Sequence, residues 1–146
     1  MNISLEDARK ILSAATARAA QIGKPITVAV VDSGGYVVAV ERMDGARPLQ
    51  PSIATAKAYT AAVMQRPGVM LKKWEQSQPG FFAQVARMGH QPVLATEGAI
   101  PIKKGDLLGG LGIAGGTGDE DEQLCRDVLS ELGYELDFEQ FNRLKT

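Results

Sequence analysis

The chain has 146 residues, 45% of them hydrophobic and 23% charged, with 16 basic against 17 acidic side chains and a net charge of −1. That length favours one domain with a self-sufficient core, and the balanced charge offers no field for nucleic acid or an anionic membrane, so neither is expected as a partner. The single cysteine, Cys125, excludes an internal disulfide. The opening MNISLEDARK lacks a basic start followed by an apolar core, and no run reaches the roughly 18 apolar residues of a spanning helix, so a cytoplasmic location is the expectation.

Ser4 to Ile22 reads as a helix. Ser4 and Asp7 form a capping-box pattern, Leu5, Ala8, Leu12, Ala15, Ala19 and Ile22 recur at helical spacing, and Gly23 with Pro25 stops the run. Ile26 to Ala46 reads as a β-hairpin. Its two Val-rich runs, Ile26–Val31 and Tyr36–Val40, flank Asp32-Ser33-Gly34-Gly35, and the glycines supply the positive φ of a tight turn. Both runs are apolar at nearly every position, which predicts a hairpin central in a sheet, covered on both faces by helices or a second subunit.

A loop over residues 47–51 leads to an alanine-rich helix, Ser52 to Gln65, which ends before Arg66-Pro67-Gly68. Val69 to Gln78 is a short helix anchored by Trp74, and Phe81 to His90 an irregular segment with one helical turn. Pro92–Ala95 and Gly98–Lys103 read as strands, Lys104-Gly105-Asp106 as a turn, and Leu107–Ala114 as a strand whose glycines let another backbone or a ligand come close. Thr117 and Glu120 form a second capping box, and a closing helix runs to Leu132 with Gly133 as its stop. The domain is expected to span residues 1–133. Tyr134 to Thr146 is a charged tail with Tyr134, Leu136 and Phe138 spaced to dock on a neighbour. Strands joined by tight turns are antiparallel, so the fold class is α+β: an antiparallel sheet of about five strands flanked by N-terminal, central and C-terminal helices.

Chemistry-bearing residues are few. Asp32-Ser33-Gly34-Gly35 matches the surroundings of a serine nucleophile, but that chemistry needs a histidine base, and the sole histidine, His90, lies far along the chain. The turn reading is preferred. Gly110-x-Gly112-x-x-Gly115 matches a dinucleotide fingerprint, with Asp137 about twenty residues on, but the chain ends before a parallel sheet could follow. Gly115, Gly116 and Thr117 lead into a helix N-terminus, which either caps itself or holds a carboxylate or phosphate. Lys57 shares a helix face with Ile53, Ala61 and Met64. Either its stem lies on apolar surface with the head in water, or it reaches a carboxylate such as Asp32 or an anionic ligand. One histidine excludes a multi-histidine site, yet His90 alone serves as an axial haem ligand in principle, as does the phenolate of Tyr36. No Cys/His spacing for zinc is present.

Several stretches taken together resemble the GlcG/HbpS family: VAVVDSGGYVVAVERMDGA at 28–46, Lys57-Ala58-Tyr59-Thr60-Ala61, Arg66-Pro67, Gly98-Ala99-Ile100-Pro101-Ile102, and GGLGIAGGTGDEDE at 109–122. The resemblance covers roughly residues 3–133. It implies a profilin-like fold, assembly into dimers or octamers, and binding of haem or another small molecule, in proteins commonly encoded beside catabolic enzymes. The family's lysine and glycine-rich turn match Lys57 and Gly115–Gly118. Where the family usually carries histidine after the glycine pair, this chain has Tyr36, and where it often has two glycines before x-Pro-Ile, this chain has Gly98-Ala99.

The leading expectation is therefore a homo-oligomeric small-molecule-binding protein with haem or another tetrapyrrole as ligand. Its pocket is expected near the hairpin turn, Tyr36 and Lys57, close to a subunit interface. Two alternatives stand beside it. One is an enzyme or accessory factor acting on a small oxo or hydroxy acid, with Lys57 binding the anion and Tyr36 or His90 as acid or base. The other is an assembly subunit without ligand.

Overall fold

The computed structural model describes residues 1–138. At its centre is strand β1, Thr27–Asp32. Successive side chains of a strand point to opposite faces, and β1 is apolar on both because both are covered. Val28 and Val30 enter one core with α1, Leu5–Gln21, and α5, Gly118–Glu131, while Ala29 and Val31 enter another under α2, Gln50–Met64. The sheet order is β2-β1-β4-β3, with β2 at Val37–Arg42, β3 at Ala99–Lys104 and β4 at Asp106–Ala114. All three pairings are antiparallel.

The two faces differ in chemistry. On the α1/α5 face, Ile100, Ile102, Leu111 and Ile113 join Ile11, Leu12, Val128 and Leu129 in the main core. On the α2 face nearly everything is small: Ala29, Ala54, Ala58, Ala62 and Ala114. Gly110 and Gly112 of β4 complete that seam. A Cβ added at Gly110 would lie 2.1 Å from the Ala58 carbonyl oxygen, and one at Gly112 would lie 2.1 Å from that of Ala54. The glycines that matched a nucleotide fingerprint thus admit a helix backbone to the sheet.

Several elements depart from the sequence reading. The sheet has four strands, not about five. Pro92–Ala95 forms none, because its donors are taken elsewhere: the Val93 N–H donates to the Ala86 carbonyl at 3.1 Å and the Leu94 N–H to Thr60 Oγ1 at 2.9 Å. The hairpin is half central. β1 is interior, but β2 is the edge strand and is only half-buried. Phe81–His90 is more regular than expected, since α4 occupies Pro79–Val85. The preceding segment divides into a 3-10 turn, Gly68–Leu71, and α3, Lys72–Ser77. Trp74 packs against Phe81 and Phe82, with ring centroids 6.0 and 5.1 Å away.

Ser4 caps α1 by accepting from the Asp7 N–H at 3.1 Å. The start of the predicted tail returns to the sheet: the Glu135 N–H donates to the Lys103 carbonyl at 2.8 Å, and Phe138 is buried in the main core. The remainder of that tail lies outside the described residues. Among the described residues no helix is long and apolar enough to cross a membrane.

Candidate functional site

The candidate residues gather at two ends of the sheet. β1 runs from Thr27, paired with Ala114, to Asp32, paired with Gly109, a span of roughly 17 Å. Lys57 sits at the Ala114 end, where its ammonium donates to the Ile113 carbonyl at 2.7 Å. Tyr36 and His90 sit at the other, beyond Asp32. The single pocket expected to join Tyr36 and Lys57 is therefore two separate places.

At the hairpin end, Asp32 organises the turn. Its Oδ1 accepts from the Gly34 and Tyr36 N–H groups at 2.9 and 3.0 Å. Gly35 holds φ +84° beneath α2, where a Cβ would meet the Tyr59 ring at 2.5 Å. Ser33 donates its hydroxyl to Asn2 Oδ1, so it is no activated nucleophile. His90 does come to this turn despite its distance in sequence, but it meets the Gly35 carbonyl oxygen at Nε2, 3.0 Å away. Its ring stacks on Tyr36 at 4.2 Å and 5°, and lies edge-on to Tyr59 at 4.7 Å and 77°. A carbonyl oxygen only accepts, so Nε2 carries a proton, and in the neutral imidazole the lone pair is on Nδ1. Arg87, His90 and Pro92 line a shallow groove of about 270 Å³. Tyr36, stacked on His90, is 60% exposed, and its chain neighbour Val37 and Met88, next to Arg87, are 56% and 80% exposed.

At the other end, Lys57 and Asp121 form a buried ion pair, Nζ to Oδ2 3.3 Å, with side chains only 8% and 3% exposed. Asp121 Oδ1 accepts from the Gly116 N–H at 2.9 Å, which ties the glycine turn to the lysine. Burial pushes the Asp121 carboxyl above its usual range, against the opposing pull of the Lys57 charge and the Gly116 N–H. Thr117 works as a helix cap: its hydroxyl accepts from the Glu120 N–H at 3.2 Å, and Glu120 Oε1 accepts from the Thr117 N–H at 2.8 Å. Two of the donors at the start of α5, the Thr117 and Glu120 N–H groups, are thereby taken by the protein itself. Gly115, Gly116, Lys57 and Asp121 border an open cleft of about 760 Å³, with Lys24, Arg47, Gln50 and Ile53 across from them.

Sequence reasoning missed Asp121, Gln50 and Arg47. Asp121 had a signal. It falls three, four and seven residues before Leu124, Cys125 and Val128, on the apolar stripe of α5, where a carboxylate requires a partner. Among the described residues no group of three or more His, Cys, Asp and Glu side chains is placed to hold a metal ion.

A four-stranded antiparallel sheet with one helix seated on one face and two on the other, and clefts opening at its ends, defines a profilin-like α+β domain. Within that class the chain belongs to the HbpS-like family: the family model described as "Haem degrading protein HbpS-like" matches residues 3–130. An uncharacterized 15.0 kDa protein of Citrobacter freundii, from a dhaT-dhaS intergenic region, is 32% identical over 89% of this chain and 94% of its own length. The crystal structure of a double mutant of Streptomyces reticuli HbpS is 33% identical, with a TM-score of 0.80 over 91% of this chain and 88% of that one. The structure of PduOC in complex with heme is 26% identical, with a TM-score of 0.83 over 92% of this chain and 98% of that one.

Proposed function

We propose that this protein binds a haem-class tetrapyrrole on the surface formed by Tyr36 and His90, with His90 Nδ1 as the iron ligand. The observation that carries the reading is the Nε2 contact to the Gly35 carbonyl. An imidazole that ligates metal characteristically donates its other N–H to a carbonyl or carboxylate, which sets the tautomer and raises the basicity of the free nitrogen. The neighbouring residues fit the group. Exposed apolar side chains suit a macrocycle face, and Arg87 in the adjoining groove suits its carboxylates. The cleft beside Lys57 fits less well, because no His, Cys, Met or Tyr lines it. The family description and the heme complex of PduOC support the same reading. When bound, the iron supplies the redox chemistry; the chain supplies a nitrogen ligand, a stacking surface and a cation.

The open surface also supports self-association, since a second copy laid over Tyr36 and Val37 would exclude water from the macrocycle. The test is titration with hemin followed at the Soret band. The expected result is a saturable shift at roughly micromolar hemin, an affinity near 8 kcal/mol, lost in His90→Ala and weakened in Tyr36→Ala. A parent protein with no saturable shift would overturn the reading, and an unchanged His90→Ala spectrum would remove His90 from it.

A further inference from the structure

The cleft at the Ala114 end is left unused by a tetrapyrrole site at the hairpin end, yet it is built for a ligand. Arg47, Lys24 and Lys57 line it against one carboxylate, Asp121. Both Asp121 oxygens are engaged, by Gly116 and by Lys57, so Asp121 has no oxygen left for a further cation. Lys24 pairs with Glu120 at 3.4 Å, whereas Arg47 has no ionic partner among the described residues.

Two buried side chains bring spare donors to the same space. Lys57 is 7% exposed and uses two of its three ammonium protons, on Ile113 and Asp121. Gln50 is 9% exposed, and one atom of its amide meets Thr27 Oγ1 at 3.3 Å. The Thr27 hydroxyl donates to Gln50 Oε1, so the Gln50 amide nitrogen is the donor left without a protein partner among the described residues, and Gln50 borders the cleft. These spare donors keep access to water in the cleft, and a ligand carboxylate would take the place of that water.

Pro25, Leu49, Ile53 and Ala114 make up much of the remaining wall. An anion with no apolar part, such as phosphate, would leave that wall unmatched. We propose that this cleft is a binding site for a small organic carboxylate with an apolar body, its carboxylate held by Arg47, Gln50 and Lys57 and its body against Ile53 and Leu49. The proposal does not rest on the tetrapyrrole reading. The same carboxylate chemistry would be offered by a tetrapyrrole side chain, so the experiment separates the two sources.

The probes are butyrate, butanol as its uncharged counterpart and inorganic phosphate, added to isotopically labelled protein and followed by amide chemical shifts. Butyrate is expected to saturate with shifts centred on Gly115, Gly116 and Gln50, while butanol and phosphate produce no comparable pattern. Arg47 is exposed, so Arg47→Glu folds; it is expected to weaken butyrate by about tenfold or more, with Arg47→Lys restoring part of the loss. His90→Ala is expected to leave butyrate binding intact while abolishing the hemin response. No saturable shift up to ~10 mM butyrate, equal shifts with butanol or phosphate, or indifference to Arg47→Glu would overturn the proposal. Loss of butyrate binding in His90→Ala, or displacement of butyrate by hemin, would assign the cleft to the tetrapyrrole instead.

Discussion

Lys57 and Asp121 are opposite charges held almost entirely out of water. Removing two ions from solvent is expensive, and each is tolerable only while the other is present. Lys57→Met is therefore expected to destabilise the fold by about 3–5 kcal/mol, whereas Lys57→Met with Asp121→Leu recovers most of that loss, as a urea double-mutant cycle would show. The deficit should depend on pH. The folded-state pKa of Asp121 lies above its unfolded value, so as pH rises the unfolded chain loses its proton first, and ionisation lowers stability from the ordinary value of 3.8 upward through the folded value. Without the lysine that penalty grows, so the Lys57→Met deficit is expected to be small near ~pH 3 and full by ~pH 7. Unfolding curves showing the same deficit at both pH values would contradict this account. Cys125, adjoining on α5, is also buried, and desolvation pushes its thiol well above its usual range. It should resist thiol-reactive dyes in folded protein and react only on unfolding. The cation on the apolar face of α2 was legible in the sequence. Its partner was not, because the pairing depends on how α5 lies over the end of the sheet.

At the scale of elements, the seam between α2 and β4 decides how close helix and sheet come. Van der Waals contact there is made by alanines above and glycines below, so backbone faces backbone. Gly112→Ala puts a methyl 2.1 Å from the Ala54 carbonyl and 2.6 Å from the Ala58 nitrogen, both rigid backbone. The helix must lift, and a loss of about 3 kcal/mol or more is expected. Gly80→Ala is the matching control, since nothing lies within 4 Å of its Cβ and the site is helical, so a gain of roughly 0.5 kcal/mol is expected. Comparable midpoints for the two variants would mean that the seam is not under steric control. Alanine and glycine content already pointed to close approach here, because small residues recurring on a helix and on a strand have few other uses. Tyr36 meeting His90 was hidden for the opposite reason. It is a contact between a turn and a loop, whose path is set by α4 and by Pro92–Ala95 bonding to α2 instead of to the sheet.

Across the whole molecule, the sheet has two edges, β2 and β3. β1 and β4 are interior, and both faces of the sheet carry helices, which the apolar runs and antiparallel turns foretold. The strand count was overestimated because extended chain and paired strand look alike in sequence when a side chain such as Thr60 takes the backbone donor. β2 kept the apolar pattern of a central strand while occupying the edge. That mismatch has a physical meaning. Edge strands ordinarily carry lysine, proline or short length against unwanted pairing, yet Val37, Val38, Ala39 and Val40 run along this one without a charge until Glu41. Burial that the single chain does not provide is supplied most simply by another copy of it. Sedimentation is expected to show a mass that rises with concentration from the monomer toward a defined oligomer. Val37→Lys places a charge on the exposed edge without touching the core, so it should return the protein to monomer with its melting cooperativity retained. If the tetrapyrrole surface is completed across that same boundary, Val37→Lys will also weaken hemin while leaving butyrate unaffected. A parent that stays monomeric at every concentration, or a Val37→Lys variant of unchanged mass, would show that the apolar edge of β2 is not where the copies meet.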